Sequence, residues 1–215
     1  EIVIPFEDKH VDVVAGYYAA RSETAFQKSL VPYVLVMPDK VKPQNFFPAS
    51  RSMAFKKSIW GKVGGFPEEF SHNEDYMFSR QLKKIGANIV FAKDAIVYWI
   101  PRKNISEAFV MFFRFAYGDM EAYIIRPKVV LLFVRYLLGI ILLVFSPSFL
   151  TVVIILYIIW SVLKNYKYVK EWEAVFWLPV IQIVSDIAIM MAVISAFLKK
   201  LWDTIKDKAI TAIVW

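Results

Sequence analysis

The sequence predicts an α/β soluble part followed by an interfacial helix and α-helical transmembrane segments. Residues 1–125 have a mixed composition, with short β-branched runs that alternate with amphipathic helical patterns, as in α/β domains. Residues 129–198 contain long apolar runs with few charges. These runs explain why the apolar fraction of the chain, 58%, exceeds the roughly 45–50% of soluble proteins.

The basic residues indicate a membrane surface rather than a nucleic acid as partner. The formal net charge is +7, and many lysines and arginines flank the apolar runs: Arg126, Lys128, Lys164, Lys167, Lys170, Lys199 and Lys200. Positive flanks of this kind contact lipid headgroups on the cytoplasmic side of a membrane. The chain has no cysteine, which excludes disulfide scaffolds and thiolate metal sites.

Apolar periodicity and breaker residues predict the elements of the soluble part. They are a strand at 11–18, a helix at 22–37, a proline-rich loop at 38–50, a strand at 52–55, helices at 56–63 and 74–85, and strands at 88–92 and 95–99. The helix at 22–37 opens with a capping-box pattern, and Pro32 is expected to bend or break it. Gly64 and Gly65 are expected to end the helix at 56–63.

Glu74 and Asp75 open a predicted helix, and two interpretations of them stay open. In the structural interpretation, Asn73 is the N-cap and the two carboxylates complement the positive end of the helix dipole. In the functional interpretation, one carboxylate takes a proton from a substrate. The local sequence alone favours the structural interpretation.

Residues 50–99 resemble, element by element, the C-terminal half of the catalytic domain in family 2 glycosyltransferases, the GT-A class. The matching segments follow in order: "SRSMAF", a helix with "GGF", an acidic loop, "ED" at a helix start, and "GANIVFAKDAIV". The resemblance implies a partial GT-A, Rossmann-like domain and an inverting transfer of a sugar, of the hexosyltransferase type, from a nucleotide-sugar donor. It also implies that Asp75 is the general base for the acceptor hydroxyl and that Glu74 contacts the acceptor.

Three further residues are candidates for substrate binding under this resemblance. Arg51 and Ser52 lie at the strand expected to line the cleft. Arg114 in "FFRFAY" is a candidate to neutralise a diphosphate or a lipid phosphate, since guanidinium suits phosphate oxygens. A headgroup contact is an equal alternative for Arg114 and the preferred interpretation of Arg102, while His72 is expected to be an exposed loop residue.

The resemblance also implies a divalent cation, Mg²⁺ or Mn²⁺, held on the donor diphosphate by an Asp-x-Asp motif. No such motif stands in a suitable context here, so we expect a nucleotide-binding half before residue 1 and an inactive isolated chain. The missing motif favours a second hypothesis, a non-catalytic membrane-tethered α/β module that binds a partner or a lipid. The lack of a QxxRW-type sequence favours transfer of a single sugar to a lipid-linked or membrane-proximal acceptor.

The predicted organisation has four parts: a C-terminal part of a GT-A domain at 1–104, an amphipathic interfacial helix at 105–128, a transmembrane region at 129–198, and a basic amphipathic tail at 199–215. The transmembrane region contains a helical hairpin at 129–163 and a third segment at 174–198. Asp186 in this third segment is costly in a membrane, so we expect it to pair with Arg135. Asp119, after the aromatic run, is expected to be solvated.

The lysines predict an orientation for a multi-pass protein of the cell membrane. With the soluble, catalytic part in the cytoplasm, Lys164, Lys167 and Lys170 lie on the cytoplasmic side, in agreement with the positive-inside tendency. The lysines after residue 198 then lie outside, against this tendency. A re-entrant third segment, an override of the tendency, and a further span after Trp215 stay open as explanations.

Overall fold

The computed structural model describes residues 1–70 and 72–213, with side chains for residues 1–70 and 72–206. The strands are β1 (Val13–Ala20), β2 (Met53–Phe55) and β3 (Ile89–Trp99). The helices are α1 (Ala25–Val34), α2 (Lys57–Val63), α3 (Glu74–Lys84), α4 (Ile105–Glu121), α5 (Pro127–Phe145), α6 (Pro147–Val169) and α7 (Ala174–Ile213). Short 3-10 turns precede β1 and occupy the loop between α1 and β2.

The three strands form one mixed sheet in the order β2-β1-β3. The central strand β1 is antiparallel to β2 and parallel to β3, and the chain between β1 and β3 makes the crossover that a parallel pair requires. Helix α3 packs on the sheet through Phe78 and Leu82, which are buried with Val13 and Ile59. The predicted α/β class is therefore confirmed as a small mixed sheet with helices, followed by long apolar helices.

The prediction of two separate strands at 88–92 and 95–99 is wrong. A single strand, β3, pairs with β1 over its whole length, and its register shifts in the middle. Gly16 lies opposite Ala92, while the next residue, Tyr17, lies opposite Ile96. Residues 93–95 therefore form a bulge, which redirects the strand without ending its pairing. The polar Lys93-Asp94 pair that suggested a turn lies in this bulge.

The predicted capping signals of two helices are confirmed, although α1 is shorter at both ends than the predicted 22–37. Thr24 and Gln27 form the capping box of α1, in which each side chain accepts a hydrogen bond from the backbone N–H of the other. Pro32 lies in the last turn of α1, and the helix ends two residues after it, at Val34. Gly64 is the C-cap of α2 in the left-handed conformation, with φ of 85°.

In the described part of the chain, three helices are long and apolar enough to cross a membrane: α5, α6 and residues Ala174–Lys206 of α7. Ser146 alone joins α5 to α6, which makes the predicted hairpin. Helix α6 extends beyond the predicted 149–163 at both ends, and α7 continues without a break past the predicted end at Leu198. The last two residues of the predicted tail lie outside the described residues.

Helix α7 packs against the rest of the protein more than the hairpin does. In its most apolar stretch 33% of the residues are buried, against 6% in α5 and 6% in α6. Ile181 and Ala188 of α7 are buried against Leu30 of α1 and against Met111 and Phe112 of α4. The hairpin thus offers its surface to lipid, whereas α7 forms a helical core with α1 and α4.

The predicted pair of Asp186 and Arg135 is confirmed. Arg135 Nη2 donates to Asp186 Oδ2 at 2.8 Å, and the Asp186 side chain is only 5% exposed. Tyr136 donates to the same oxygen at 3.1 Å, Tyr157 also donates to it, and Gln182 Nε2 donates to Oδ1 at 3.0 Å. These bonds connect α5, α6 and α7 around one carboxylate.

Candidate active site

A cavity of about 470 Å³ lies between the carboxyl-terminal half of β1, the loop before β2 and the start of α3. We call it the Asp75 cavity. Its lining includes Tyr17, Tyr18, Phe46, Phe47, Ser50, Arg51, His72, Asn73, Glu74, Asp75, Trp99 and Phe115. Glu74 and Asp75 are the only carboxylates among its described lining residues. The two acids that the sequence singled out therefore share one concave surface with aromatic side chains and an arginine.

Asp75 is held by hydrogen bonds on both of its oxygens. Its Oδ2 accepts bonds from the backbone N and from the hydroxyl of Ser50, at 3.2 and 3.3 Å. Its Oδ1 accepts a bond from the backbone N of Tyr76 at 2.7 Å, within the first turn of α3. The side chain is half-buried, so one carboxylate is oriented by the loop and the helix while it still faces the cavity.

Tyr18 is a cavity residue that sequence reasoning missed. Burial is the main reason why the pKa of Tyr18 is raised, Arg51 opposes the shift, and the Asp75 carboxylate adds to it. The phenol therefore stays protonated and offers an O–H donor next to the acids. The signal in the sequence was its place near the carboxyl end of a predicted strand, where ligands of α/β sheets bind.

Asn73 is the N-cap residue of α3, as predicted, but it lacks the expected side-chain capping bond, and the prediction that Asp119 is solvated is wrong. Asn73 precedes α3 in the left-handed conformation, with φ of 64°, and its side chain makes no capping bond. Its Nδ2 instead donates to Asp119 Oδ1 at 2.9 Å. Asp119 also binds Arg126 and is 13% exposed rather than solvated, and this bond raises the pKa of Arg126. A contact with α4 therefore replaces the side-chain capping bond of α3.

A second cavity, of about 440 Å³, collects three arginines from distant parts of the chain. We call it the arginine cavity, and its lining includes Arg51, His72, Trp99, Arg102, Glu107, Arg114 and Phe115. The one carboxylate, that of Glu107, already accepts bonds from Asn104 Nδ2 and the backbone N of Lys103, at 2.8 and 3.1 Å. Three guanidinium groups beside one engaged carboxylate suit an anion with several oxygens, such as a phosphate.

The two cavities are neighbours, because Arg51, His72, Trp99 and Phe115 line both. Ser52 is 2% exposed, lies in the turn before β2 and lines neither cavity. Among the residues with described side chains, no three acids or histidines are grouped to hold a metal ion. The residues present therefore do not fit the divalent cation that the resemblance implies, and no reaction step here uses one.

No protein-family model matches the sequence, and no curated protein is significantly similar to it.

Proposed function

We propose that the protein is a membrane-bound inverting glycosyltransferase of the family 2, GT-A type. It transfers a sugar from a nucleotide-sugar donor to a lipid-linked or membrane-proximal acceptor. The observation that supports this best is the juxtaposition of the two cavities, with Glu74 and Asp75 in one and Arg51, Arg102 and Arg114 in the other. Sugar transfer from a nucleoside diphosphate requires a group that accepts a proton next to groups that bind an anion, and the carboxylates and arginines of these cavities are suited to the two tasks.

Each group has a role in this reaction. The acceptor hydroxyl gives its proton to Asp75 as its oxygen bonds to the anomeric carbon of the donor. The bond from that carbon to the diphosphate breaks, and the nucleoside diphosphate leaves with the electron pair. Arg51 and Arg114 neutralise the negative charge that develops on the leaving group, because one guanidinium group can bind two phosphate oxygens at once. Glu74 contacts the acceptor beside Asp75.

The membrane part supports an acceptor at the bilayer surface. Only 6% of the residues in the most apolar stretch of each hairpin helix are buried, and Lys164, Lys167 and Lys170 lie towards one end of the hairpin. Such a positive end favours a cytoplasmic position for this end and for the soluble part joined to it. A multi-pass protein with its catalytic part in the cytoplasm follows from the proposal.

The test is the Asp75→Asn variant, assayed for transfer from sugar nucleotides in membranes that contain the protein expressed from its full natural reading frame. We expect the turnover number to fall by roughly 10²–10⁴-fold, the usual contribution of a general base, with donor binding retained. Asp94→Asn is the matched control, because Asp94 is exposed in the bulge of β3 and lines neither cavity.

Two results would contradict the proposal. Unchanged turnover in Asp75→Asn returns Asp75 to the role of a helix-opening acid. If the unaltered protein binds no sugar nucleotide, the membrane-tethered α/β binding module becomes the better account of the fold.

A further inference from the structure

A third cavity, of about 490 Å³, lies where α1, α4, α5, α6 and α7 meet. We call it the lysine cavity. Its charged lining residues are Asp119, Arg126, Lys128, Arg135, Lys164 and Asp186. The proposed reaction assigns no role to any of these six side chains, so the cavity needs an explanation of its own.

The charges around the lysine cavity do not balance. Arg126 binds Asp119 and Arg135 binds Asp186, each with one bond of 2.8 Å, so both carboxylates are paired. Four cations and two carboxylates leave a surplus of two positive charges. The surplus belongs to Lys128 and Lys164, neither of which has a carboxylate within ion-pair distance among the described side chains.

The contacts of Lys164 do not neutralise it. Its Nζ lies 4.8 Å from the ring centre of Trp160 and 5.6 Å from that of Tyr33, and 3.5 Å from Gln182 Oε1. The positive charges of Lys40 and, more weakly, of Lys128 and Arg135 also act on it unfavourably, while the Asp186 carboxylate offsets part of this effect. Aromatic faces and an amide stabilise a cation only partly, so the cavity favours an anion between the two lysines.

The position of the lysine cavity in the fold favours the headgroup level of a membrane. Lys128 is near the start of α5 and Lys164 lies in the last two turns of α6. Because α5 and α6 form a hairpin, both lysines are at the end that joins the soluble part. Lipid phosphates lie at this level, and both lysines line the cavity while they are also exposed on the outside of the protein.

We infer that the lysine cavity binds the phosphate group of a membrane lipid, with Lys128 and Lys164 as its cationic ligands. Gln182 and Ser185 supply buried polar groups in its wall, and Leu132 and Ile189 supply apolar surface for the rest of the lipid. This binding site does not depend on the proposed function.

The site nevertheless adds to the proposed function. Val34, Asn73 and Phe115 line both the lysine cavity and the Asp75 cavity. A lipid whose phosphate is held in the lysine cavity therefore has the rest of its headgroup beside Asp75. Under the proposed function, on which this point alone rests, the bound lipid phosphate anchors a lipid-linked acceptor with its hydroxyl towards the general base.

The test is the binding of phosphatidic acid to the purified, delipidated protein in detergent, measured by native mass spectrometry. We expect the unaltered protein to retain phosphatidic acid and not diacylglycerol, which lacks the phosphate. The double variant Lys128→Gln/Lys164→Gln should bind phosphatidic acid at least about tenfold more weakly, because it loses two charge-assisted contacts. The control Lys170→Gln removes an exposed lysine outside the cavity and should bind normally.

Further variants separate charge from folding. The double variant Lys128→Arg/Lys164→Arg should restore binding, and the Gln double variant should melt at a higher temperature than the unaltered protein without lipid, because it removes the repulsion. Equal binding by the Gln double variant and the unaltered protein overturns the inference. Displacement of phosphatidic acid by inorganic phosphate overturns the assignment to a lipid, since the cavity then takes free phosphate. Retained lipid binding without sugar transfer in any assay overturns the proposed function and leaves the lipid site standing.

Discussion

The two carboxylate oxygens of Asp75 accept hydrogen bonds from different parts of the protein. Its Oδ1 accepts a bond from the first turn of α3, while its Oδ2 accepts bonds from Ser50 at the edge of the Asp75 cavity. The structural and functional interpretations of this acid therefore do not compete. A carboxylate has about four lone-pair sites, so a bond to the helix leaves acceptor sites for a substrate hydroxyl.

Gly16 marks the closest approach within the sheet. A Cβ atom there would lie 2.2 Å from the Ser52 hydroxyl and 2.5 Å from the carbonyl oxygen of Ala95, next to the bulge of β3. Because the second contact is with backbone, Gly16→Ala should lower the free energy of unfolding by about 2 kcal/mol or more. The measurement is the thermal midpoint of the purified protein in one fixed detergent.

Gly61→Ala is the matched control for Gly16→Ala. Gly61 is in the interior of α2, and a Cβ atom there meets nothing within 4 Å. Alanine should therefore stabilise the protein by about 0.5–1 kcal/mol through helix propensity. Equal effects of the two substitutions would show that the close approach at Gly16 does not exist.

At the scale of elements, a contact with α4 holds the N-cap residue of α3, in place of a side-chain capping bond. Asn73 adopts a left-handed conformation that non-glycine residues seldom adopt, and asparagine tolerates it better than most. Its amide binds Asp119, which Arg126 holds in turn. Helix α4 and Arg126, just before α5, thus hold the residue that precedes the two acids, which links the long apolar helices to the candidate active site.

The carboxylate of Asp186 joins three apolar helices, and its pairing with Arg135 predicts a measurable coupling. Arg135→Gln leaves a buried charge on Asp186 and should cost about 2 kcal/mol, below the usual cost for a buried pair, because Arg135 is 37% exposed and other groups still donate. In Arg135→Gln/Asp186→Asn, part of the loss should return, with a coupling energy of about 1–2 kcal/mol.

The coupling energy is measured in a double-mutant cycle. It compares the thermal midpoints of the two single variants, the double variant and the unaltered protein in one detergent. Strictly additive shifts would contradict the pairing. Lys200→Gln, which removes a cation from α7 at a distance from Asp186, controls for a general effect of charge.

At the scale of the whole molecule, the three cavities meet on helix α4. Phe115 of α4 lines all three of them. A lipid phosphate, an acceptor hydroxyl and a donor diphosphate would lie in this order along α4. The arrangement explains why a helix with a polar and an aromatic face connects the soluble part to the hairpin.

The packing of α7 along α4 predicts the side on which the carboxyl-terminal lysines lie. Lys199 and Lys200 lie over the rings of Tyr117 and Tyr123, 5.8 and 3.5 Å from their centres. Tyr123 comes just before α5 and so lies where the hairpin enters the membrane. We therefore expect both ends of the unbroken helix α7 to lie on the side of the soluble part, so that α7 does not cross the membrane and Lys200 no longer conflicts with the positive-inside tendency.

The cysteine-free chain makes this topology measurable with single cysteines and a membrane-impermeant maleimide. Ser146→Cys, at the tip of the hairpin, should react in intact cells. Lys57→Cys, exposed on α2, and Lys200→Cys should react only after permeabilisation. Labelling of Lys200→Cys in intact cells would show that α7 crosses the membrane, and the unaltered chain serves as the unlabelled control.

Features that depend only on neighbours within one or two helical turns could be predicted from the sequence. The capping box of α1, the glycine that ends α2 and the short link between α5 and α6 are local, because each depends on neighbours a few residues away. The pairing of Asp186 with a cation could also be predicted, because an unpaired charge in an apolar segment is costly.

Tertiary structure alone decided the remaining features, because they depend on contacts between residues far apart in the chain. The pairing of β3 with β1 places the apparent turn in a bulge, and the side chain of Asn73 binds Asp119 instead of making a capping bond. Likewise, Arg51 and Arg114 carry no local sign that they share a cavity. Composition and periodicity predicted the type of most segments, whereas packing decided which charges meet, since the surplus of two lysines arises only where five helices come together.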